Sequence, residues 1–218
     1  MPRLLDLFCG AGGAAAGYFY AGFFDIVGVD NRPQKNYPFE FVQADALEYV
    51  EEHWREFDAI HASPPCQAYS RLRHLPWLRG KVYWDSIPPT RAALLCCGVP
   101  WVMENVEDAP MPDAAVLCGQ TFGLPIFRHR RFDSSFPLLQ PAHSKHSFTI
   151  TPGGASLGKR HHGLNAWNGE AGYQGGVKRH RLNMGIFWMT QAELGRAVPP
   201  VYTEYVGRQL LAFLGRAK

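Results

Sequence analysis

The sequence contains no long hydrophobic run and few cysteines. No apolar stretch approaches the roughly 20 residues that a membrane-spanning helix needs. The opening residues MPRLLDLFCG carry an aspartate and a glycine where a signal peptide would stay apolar, so we expect a cytoplasmic protein without a membrane partner. The five cysteines are odd in number and show no C-x-x-C spacing, which argues against a disulfide framework or a cysteine-rich zinc site.

Charge is distributed unevenly, although the formal net charge of the 218 residues is only +3. Residues 1–127 carry 9 Lys and Arg against 15 Asp and Glu, a net charge of −6. Residues 128–218 carry 13 against 4, a net charge of +9, and concentrate it in the segments FRHRRF, GKRHH and VKRHR. A solvated basic face is one explanation, but basic residues set among glycines and histidines favour a polyanionic partner.

Apolar segments alternate with helical patterns over the first half of the chain. Strands are predicted at RLLDLFC, FDIVGVD, FEFVQAD, FDAIHASPP and GVPWVMENV, and helices at AAAGYFYAGF, ALEYVEEHWREF and PPTRAALLCCG. This alternation predicts an α/β fold, with a mostly parallel sheet between helices on both faces. Ligands bind at the carboxyl ends of the strands in such sheets. The residues at or just after those ends are Gly10, Asp30, Asp45, Pro64-Pro65-Cys66 and Glu104-Asn105.

The second half of the chain is less regular. From Ser134 to Asn183 the periodicity decays into Gly, His, Ser and Asn, which predicts a small loop-rich accessory region. Two helical segments follow, broken by Pro199-Pro200, and the second is predicted to begin near Tyr202. We therefore divide the chain into a core for catalysis and cofactor binding (1–132), a short variable region (133–183) and C-terminal helices that return to the core (184–218).

Four histidines of the variable region are candidate metal ligands. No cysteine or acid partners them at ligand spacing, so the sequence predicts polar loop residues and no metal site. These histidines are His143, His146, His161 and His162.

The segment DLFCGAGG forms a glycine-rich turn between the first strand and the first helix. It lacks both the G-K-[ST] of a P-loop and the G-x-G-x-x-G spacing of dinucleotide folds. Asp30, at the end of the second strand, is placed to accept hydrogen bonds from two ribose hydroxyls, and Asp45 from an adenine amine. Together these acids indicate an adenosyl cofactor. The alternative is capping of a following helix, which suits Asp45 well and Asp30 poorly.

Polar residues at two later strand ends suggest a reactive centre. Cys66 follows two prolines that fix the main chain, and its neighbours are all polar or turn-forming, so its thiol is a candidate nucleophile. Glu104 ends an apolar strand, where burial would raise its pKa and suit a proton donor, although capping of a helix here by Asn105 is the alternative. Arg128 and Arg130 are spaced to share one face of a short strand and to hold a phosphate or a base carbonyl.

Seven segments, in this order, resemble the motifs of a known family: DLFCGAGG, GVDN, QAD, SPPCQAYS, MENV, RHRRF and AVPP. With them the chain resembles the cytosine-5 DNA methyltransferases over residues 3–132 and 184–214. The resemblance implies a Rossmann-like fold that depends on S-adenosylmethionine, and methylation of a cytosine flipped out of duplex DNA. In its compact size the chain is similar to bacterial or phage members that work alone, as a monomer in the cytoplasm of a bacterial or phage-infected cell.

The resemblance also implies a role for each matching residue. Cys66 would be the nucleophile, and Glu104 would contact ring nitrogen 3 and the amino group of the cytosine. Arg128 and Arg130 would steady the base. The residues around S-adenosylmethionine would be Phe8, Gly10, Ala11, Gly12, Gly13, Asp30, Asn31, Asp45, Ala46 and Pro65.

The chain departs from the family pattern at two positions and in length. Ile126 stands where glutamine is usual, and Arg196 stands where asparagine is usual, which leaves open a carboxylated methyl donor. The variable region has only about 50 residues, so we expect a short or relaxed sequence preference read through the DNA backbone. Residues 67–91 are predicted to be a mobile loop that closes over the base, and their basic side chains suit contacts to DNA phosphates.

Other functions stay open at this point. An RNA cytosine methyltransferase would carry the same motifs. A catalytically silent module could use the basic half to hold DNA or a partner, but it would need neither Cys66 nor Glu104. A cofactor-binding α/β protein that acts on small molecules would not need the net charge of +9 that residues 128–218 carry.

Overall fold

The computed structural model describes residues 1–70, 78, 80–143, 146 and 176–216. Its strands are β1 (Arg3–Leu7), β2 (Asp25–Asp30), β3 (Glu40–Gln43), β4 (Ala59–Ala62), β5 (Trp101–Val106), β6 (Ala115–Leu117) and β7 (Arg130–Ser134). Its helices are α1 (Gly13–Ala21), α2 (Ala46–His53), α3 (Ile87–Cys96), α4 (Gly176–Met184), α5 (Gln191–Leu194) and α6 (Pro200–Arg216). Among the described helices, none is both long and apolar enough to cross a membrane.

Within the described ranges, seven strands form one sheet in the order β3-β2-β1-β4-β5-β7-β6. The first five strands of that order are parallel, and β7 lies antiparallel between β5 and β6. The predicted α/β class with a mostly parallel sheet is confirmed. Because β7 runs in the opposite direction, it begins at the edge where β5 ends. Its first residue, Arg130, therefore pairs with Val106, the last residue of β5.

Both faces of the sheet are covered by helices. Leu4 and Ile26 face one apolar cluster, which α1 and α6 complete. Leu5 and Val27 face the opposite cluster, which contains residues of α2 and α3. Successive residues of a strand point to opposite faces, so a sheet covered on both sides needs apolar side chains at consecutive positions. This is why the predicted strands read as continuous apolar runs.

Helices α1 and α6 pack so closely that only a glycine fits at one contact. A Cβ atom on Gly17 would lie 2.0 Å from the carbonyl oxygen of Pro200 and 2.1 Å from Oγ1 of Thr203. The Thr203 hydroxyl donates a hydrogen bond to the carbonyl of Ala14 at 2.8 Å. Helix α6 begins at Pro200, two residues before Tyr202 and close to the predicted start, because proline is well suited to the first turn of a helix.

The variable region, which the sequence predicts to be a small loop-rich accessory element, includes a helix in its described part. Residues 176–183 form most of α4, whose buried residues include His180 and Met184. The helix reads GVKRHRLNM, in which Lys and Arg are as many as apolar residues, so its amphipathic period is weak. Residues 147–175 of the region lie outside the described part of the chain.

Candidate active site

A cavity of about 370 Å³ opens at the edge of the sheet where the parallel strands end. Its lining combines the turn after β1, the ends of β2 and β5, the Pro-Pro-Cys segment after β4, and the first residue of β7. Twelve of the fourteen predicted site residues line it: Phe8, Gly10, Ala11, Gly13, Asp30, Asn31, Asp45, Ala46, Pro65, Cys66, Glu104 and Arg130. Gly12 and Arg128 do not line the cavity, and each makes contacts elsewhere in the fold.

The turn after β1 is held against the end of β2. Phe8 adopts a left-handed backbone conformation with φ 56°, which costs energy in a residue with a side chain and is common at functional sites. The amide of Gly10 donates to one carboxylate oxygen of Asp30 at 3.1 Å, and the amide of Arg32 donates to the other at 3.0 Å. The indole of Trp188 donates to the carbonyl of Ala11 at 2.9 Å. The turn is thus fixed from both sides of the cavity.

Two residues of this region bear on the earlier alternatives. Asp45 accepts hydrogen bonds from the amides of Leu47 and Glu48 at 2.8 and 3.2 Å, so it caps α2 while also lining the cavity. Gly12 has a φ of 81°, and a Cβ atom on it would lie 2.6 Å from the ring of Pro38. The expectation that Gly12 lines the cofactor site is therefore corrected, because it is the positive-φ residue that begins α1 and packs against residues 37 and 38.

The segment that carries Cys66 is braced by side chains from two other elements. The amide of Asn105 donates to the carbonyl of Pro64, and the hydroxyl of Ser86 donates to the carbonyl of Pro65, both at 2.9 Å. Proline has no backbone N–H, so the contacts seen here are made through its carbonyls, which accept from side chains of distant elements. The half-buried Cys66 is therefore held in place by rigid neighbours. Asn105 serves this segment and caps no helix.

Opposing effects set the pKa of the Cys66 thiol. Burial raises this pKa, the positive charge of Arg130 lowers it, and the carboxylate of Glu104 raises it again. The net pKa is above the ordinary value, so the thiol is protonated at neutral pH. The thiolate must form when a substrate changes this balance. Arg71 and Arg73, which follow in the sequence, lie outside the described residues.

Glu104 is buried at the end of β5 and paired with Arg130. The Nε of Arg130 lies 3.0 Å from a carboxylate oxygen of Glu104. Burial raises the pKa of Glu104, and it outweighs the Arg130 charge, a hydrogen bond from Ser63 and the Arg128 charge, which all lower it. A carboxyl group whose pKa is raised by burial beside a cationic partner is suited to hold and donate a proton.

A chain of hydrogen bonds leads from the core to Glu104, and sequence reasoning missed it. The hydroxyl of Tyr18 lies 3.0 Å from Nδ1 of His61, and Nε2 of His61 lies 2.9 Å from the hydroxyl of Ser63. Burial lowers the pKa of His61 to about 3, so its ring is neutral and has a single N–H. If Tyr18 donates to Nδ1, Nε2–H donates to Ser63, and the Ser63 proton is left for Glu104. The segment HAS before Pro64 was the only sequence cue.

Arg128 does not share a strand face with Arg130. It precedes β7 with a φ of 40°, so the two-residue period of a strand does not apply to it. Its guanidinium donates to the carbonyls of Gly195 and Ala197 at 3.0 and 2.7 Å. The side chain thus holds the backbone on either side of Arg196, and its charge also lowers the pKa of Cys66 and of Glu104. Contact between Arg128 and a base stays a prediction.

Arg91 is a second arginine whose guanidinium contacts another part of the protein. Arg91 was predicted to contact the DNA backbone, but its guanidinium forms an ion pair with Asp133. Residues 71–77 and 79 of the predicted mobile loop lie outside the described part of the chain. Lys81, in the same loop, is exposed.

Several known proteins are similar to this chain or to part of it. A family model described as C-5 cytosine-specific DNA methylase matches residues 2–83. The type II methyltransferase M.FnuDI of Fusobacterium nucleatum is 34% identical over 94 residues, which cover 39% of this chain. Over residues 2–83 the chain is therefore similar to the cytosine-5 DNA methyltransferases. It spans only about a quarter of the curated relative, 27% of that protein's length.

Two solved structures show a similar fold over nearly the whole chain. The crystal structure of the S. pombe Dnmt2 methyltransferase has a TM-score of 0.59 and 13% identity, and the match covers 98% of this chain and 99% of that one. The Entamoeba histolytica methyltransferase EhMeth has a TM-score of 0.60 and 12% identity, with the same coverage. At these identities the likeness concerns the fold alone.

The two departures from the family pattern occupy different environments. Ile126 is fully buried and packs in an apolar cluster with Met184 and Ile186, so no polar side chain is needed there. Arg196 lies at the rim of the cavity and lines it. Of these two residues, Arg196 lines the cavity and Ile126 does not.

Proposed function

We propose that the chain transfers a methyl group from S-adenosylmethionine to carbon 5 of cytosine in duplex DNA. The transfer would proceed through a covalent bond between Cys66 and a cytosine flipped out of the helix. The observation that carries the proposal is one cavity that Cys66, Glu104 and Arg130 share with the turn after β1. A nucleophile, a proton donor and a cofactor turn are thereby within reach of a single bound base.

The cofactor side of this cavity fits S-adenosylmethionine. Asp6 is fully buried and lines the cavity, and its Oδ1 has no hydrogen-bond partner among the described residues. Burial raises the pKa of Asp6 to about 8, although the hydroxyl of Tyr37 donates to its other oxygen at 3.3 Å. A cationic ammonium group would satisfy Oδ1 of Asp6. Asp30 and Asp45 can accept hydrogen bonds from the ribose hydroxyls and the adenine amine. When bound, S-adenosylmethionine supplies an electrophilic methyl group on a sulfonium.

The residues of the cavity account for activation of the base. Carbon 5 of cytosine is a poor nucleophile until the Cys66 thiolate forms a bond to carbon 6 and Glu104 donates a proton to ring nitrogen 3. The ring would then become an enamine, whose nucleophilic carbon 5 would accept the methyl group that S-adenosylmethionine supplies. Solvent then accepts the carbon 5 proton, the electron pair of that carbon–hydrogen bond re-forms the 5,6 double bond, and the carbon–sulfur bond breaks with release of the Cys66 thiolate. Glu104 regains its proton from nitrogen 3.

Rigidity of the Cys66 segment serves this chemistry. The sulfur must approach the ring face to about 3–3.5 Å, and misplacement by about 1 Å can reduce the rate by about 100-fold. The braces from Asn105 and Ser86 hold the segment against such displacement. The base must also leave the duplex stack before the sulfur can reach carbon 6, so base flipping is part of the proposal.

Incubation with labelled S-adenosylmethionine and three acceptors tests the proposed function. Duplex DNA, single-stranded DNA and tRNA are compared at equal cytosine content, and the product nucleoside is identified by mass spectrometry. We expect label in 5-methylcytosine, fastest with duplex DNA. Faster transfer to tRNA would favour an RNA methyltransferase, and DNA binding without transfer would favour a silent binding module.

The same assay on random-sequence DNA tests the expected sequence preference. Bisulfite sequencing of the methylated pool is expected to show a context shorter than four bases, because backbone contacts carry no base information. A strict site of four or more bases would contradict this.

Arg196 favours one further candidate, a carboxylated methyl donor. Its guanidinium lines the cavity, where it could pair with a carboxylate on the transferred group. Turnover with the ordinary donor and the carboxylated donor is compared in wild type and Arg196→Asn. Use of the ordinary donor equal to or greater than that of the carboxylated one in wild type would remove this candidate.

Ser63→Ala is expected to move the pH profile of methyl transfer. The Ser63 hydrogen bond lowers the pKa of Glu104, so its loss raises that pKa further. Because Glu104 acts in its protonated form, the alkaline limb of the rate profile should shift upward by about one pH unit, the order expected for a hydrogen bond to a charged group. Ser135→Ala, which removes a hydrogen bond at the opposite edge of the sheet, should leave the profile in place. An unshifted limb in Ser63→Ala would show that the hydroxyl does not position Glu104.

A further inference from the structure

Four side chains with metal-ligating atoms meet beside the start of β7. They are Cys118, His129, His143 and His146, and their ligand atoms all lie within 4.8 Å of one another. Cys118 directly follows β6 and His129 directly precedes β7, so the antiparallel register of these strands places the two opposite each other. The two other histidines come from the segment after β7, and the spacing in sequence is C-x₁₀-H-x₁₃-H-x₂-H.

Two distances within the cluster lie close to those of tetrahedral coordination. The sulfur of Cys118 lies 3.6 Å from Nε2 of His146, which lies 3.1 Å from Nε2 of His129. In a tetrahedral zinc site with bonds of about 2.0–2.3 Å, neighbouring ligand atoms lie about 3.3–3.6 Å apart. Two imidazole nitrogens that face each other at 3.1 Å need a shared proton or a cation between them, and the nearby sulfur favours a metal cation.

A hydrogen-bond acceptor orients the His146 ring, and a carboxylate lies near the outer side of the His129 ring. Nδ1 of His146 lies 2.8 Å from the side-chain oxygen of Gln120, and Nδ1 of His129 lies 3.8 Å from a carboxylate oxygen of Glu107. Protons on these Nδ1 atoms leave the Nε2 lone pairs directed into the cluster, as in the outer shells of metal sites. Phe127 stacks on the His146 ring at 3.7 Å, so the cluster has an apolar side.

We propose that Cys118, His129, His143 and His146 bind a zinc ion. One thiolate and three imidazoles in tetrahedral array suit zinc, and four protein ligands without an open position are typical of a structural site. Binding forms a zinc–sulfur bond and releases the thiol proton of Cys118 to solvent. The sequence predicted no metal site because no cysteine seemed to partner the histidines, but the fold supplies Cys118. His161 and His162 lie outside the described residues.

The ion would connect the variable region to the catalytic edge. His129 immediately precedes Arg130, which pairs with Glu104, while His143 and His146 belong to the segment that leaves the sheet. Zinc would therefore fix both the start of β7 and the path of the variable region next to the cavity. This role is distinct from methyl transfer, because Cys118, His129, His143 and His146 do not line the cavity.

Metal content of the full chain tests the proposal. Protein purified without a metal-affinity tag and equilibrated with micromolar zinc should retain one zinc per chain by inductively coupled plasma mass spectrometry. His143→Ala removes a ligand on an exposed segment, and it should weaken zinc affinity by more than about 100-fold, beyond what loss of an outer-shell partner costs. His53→Ala at the end of α2 and Cys96→Ser on α3 are matched controls that should keep the metal.

Cobalt substitution gives a second readout, which reports the geometry and the ligands of the bound metal and not only the amount of metal per chain. Cobalt bound to wild type should show the intense visible bands of a tetrahedral site and a thiolate charge-transfer band that Cys118→Ser lacks. If Cys118→Ser does not fold, His143→Ala decides the question. Wild type without zinc, or equal affinity in wild type and His143→Ala, would overturn the proposal. All of these measurements are made without DNA or methyl donor, so their outcome is separate from that of the proposed function.

Discussion

Replacing Cys66 by serine is expected to reduce methyl transfer by at least about 10⁴-fold, as loss of a covalent nucleophile does in other enzymes. A serine hydroxyl stays protonated at any pH the protein tolerates, so no comparable nucleophile forms at the same position. Cys66 is half-buried beside Arg130 and Glu104, and the substitution changes little volume there. DNA affinity should therefore be retained. Single-turnover rates and binding isotherms separate the two effects.

DNA that contains 5-fluorocytosine distinguishes a nucleophile from a packing residue. Fluorine cannot leave carbon 5 as a proton does, so a covalent adduct accumulates and survives denaturing electrophoresis. Wild type should form the adduct and Cys66→Ser should not. Cys97→Ser is the matched control, because Cys97 is also half-buried and burial raises its pKa to about 11. An adduct with Cys66→Ser, or one mapped to a different cysteine by peptide mass, would refute the assignment.

Glu104→Gln is expected to lower the rate of methyl transfer by about 10²- to 10⁴-fold, the range for loss of a general acid. Glutamine keeps the shape of the side chain but cannot donate an acidic proton to ring nitrogen 3. Burial raises the pKa of Glu104, and the protonated form is the active one, so the wild-type rate should fall as pH rises through that pKa. Because Cys66 must lose its proton, the rate should also fall at low pH.

The pH profile of the variant provides the stricter test. In Glu104→Gln the alkaline limb should disappear, while the acid limb from Cys66 stays. Glu51→Gln, on the exposed side of α2, should reproduce the wild-type profile. A variant that keeps more than about one tenth of the wild-type rate, or that keeps the alkaline limb, would show that Glu104 is not the proton donor.

The elements that the sequence predicted correctly are those with strong local patterns. Strands β1, β2 and β5 are buried on both faces, so their apolar runs were unmistakable. Strand β7 reads RRFDS and is stabilised by pairing with β5 and β6, not by its own hydrophobicity. Helix α4 carries three Lys and Arg among nine residues and has no clear apolar stripe. Neither could be placed from composition, because tertiary contacts override weak local preference.

The same distinction applies to the candidate site. Two prolines before a cysteine predict a rigid segment. The side chains that donate hydrogen bonds to it, Asn105 and Ser86, come from elements distant in sequence, so they could not be predicted. The expectation for Arg128 relied on a strand that begins two residues later. The neutral state of His61 depends on complete burial, which no local pattern reports. Residue types at strand ends were thus predictable, whereas partners that depend on packing were not.

Arg128 and Tyr202 have a consequence for how the chain can evolve. Arg128 binds the carbonyls of Gly195 and Ala197, and the hydroxyl of Tyr202 donates to the carbonyls of Phe127 and Arg128. The parts of the core before and after the variable region are therefore fastened directly to each other. Closing a longer insert costs little, since each doubling of loop length adds only about 0.6 kcal/mol. Variable regions of different lengths can therefore replace one another at this point of the fold without moving Cys66, Glu104 and Arg130.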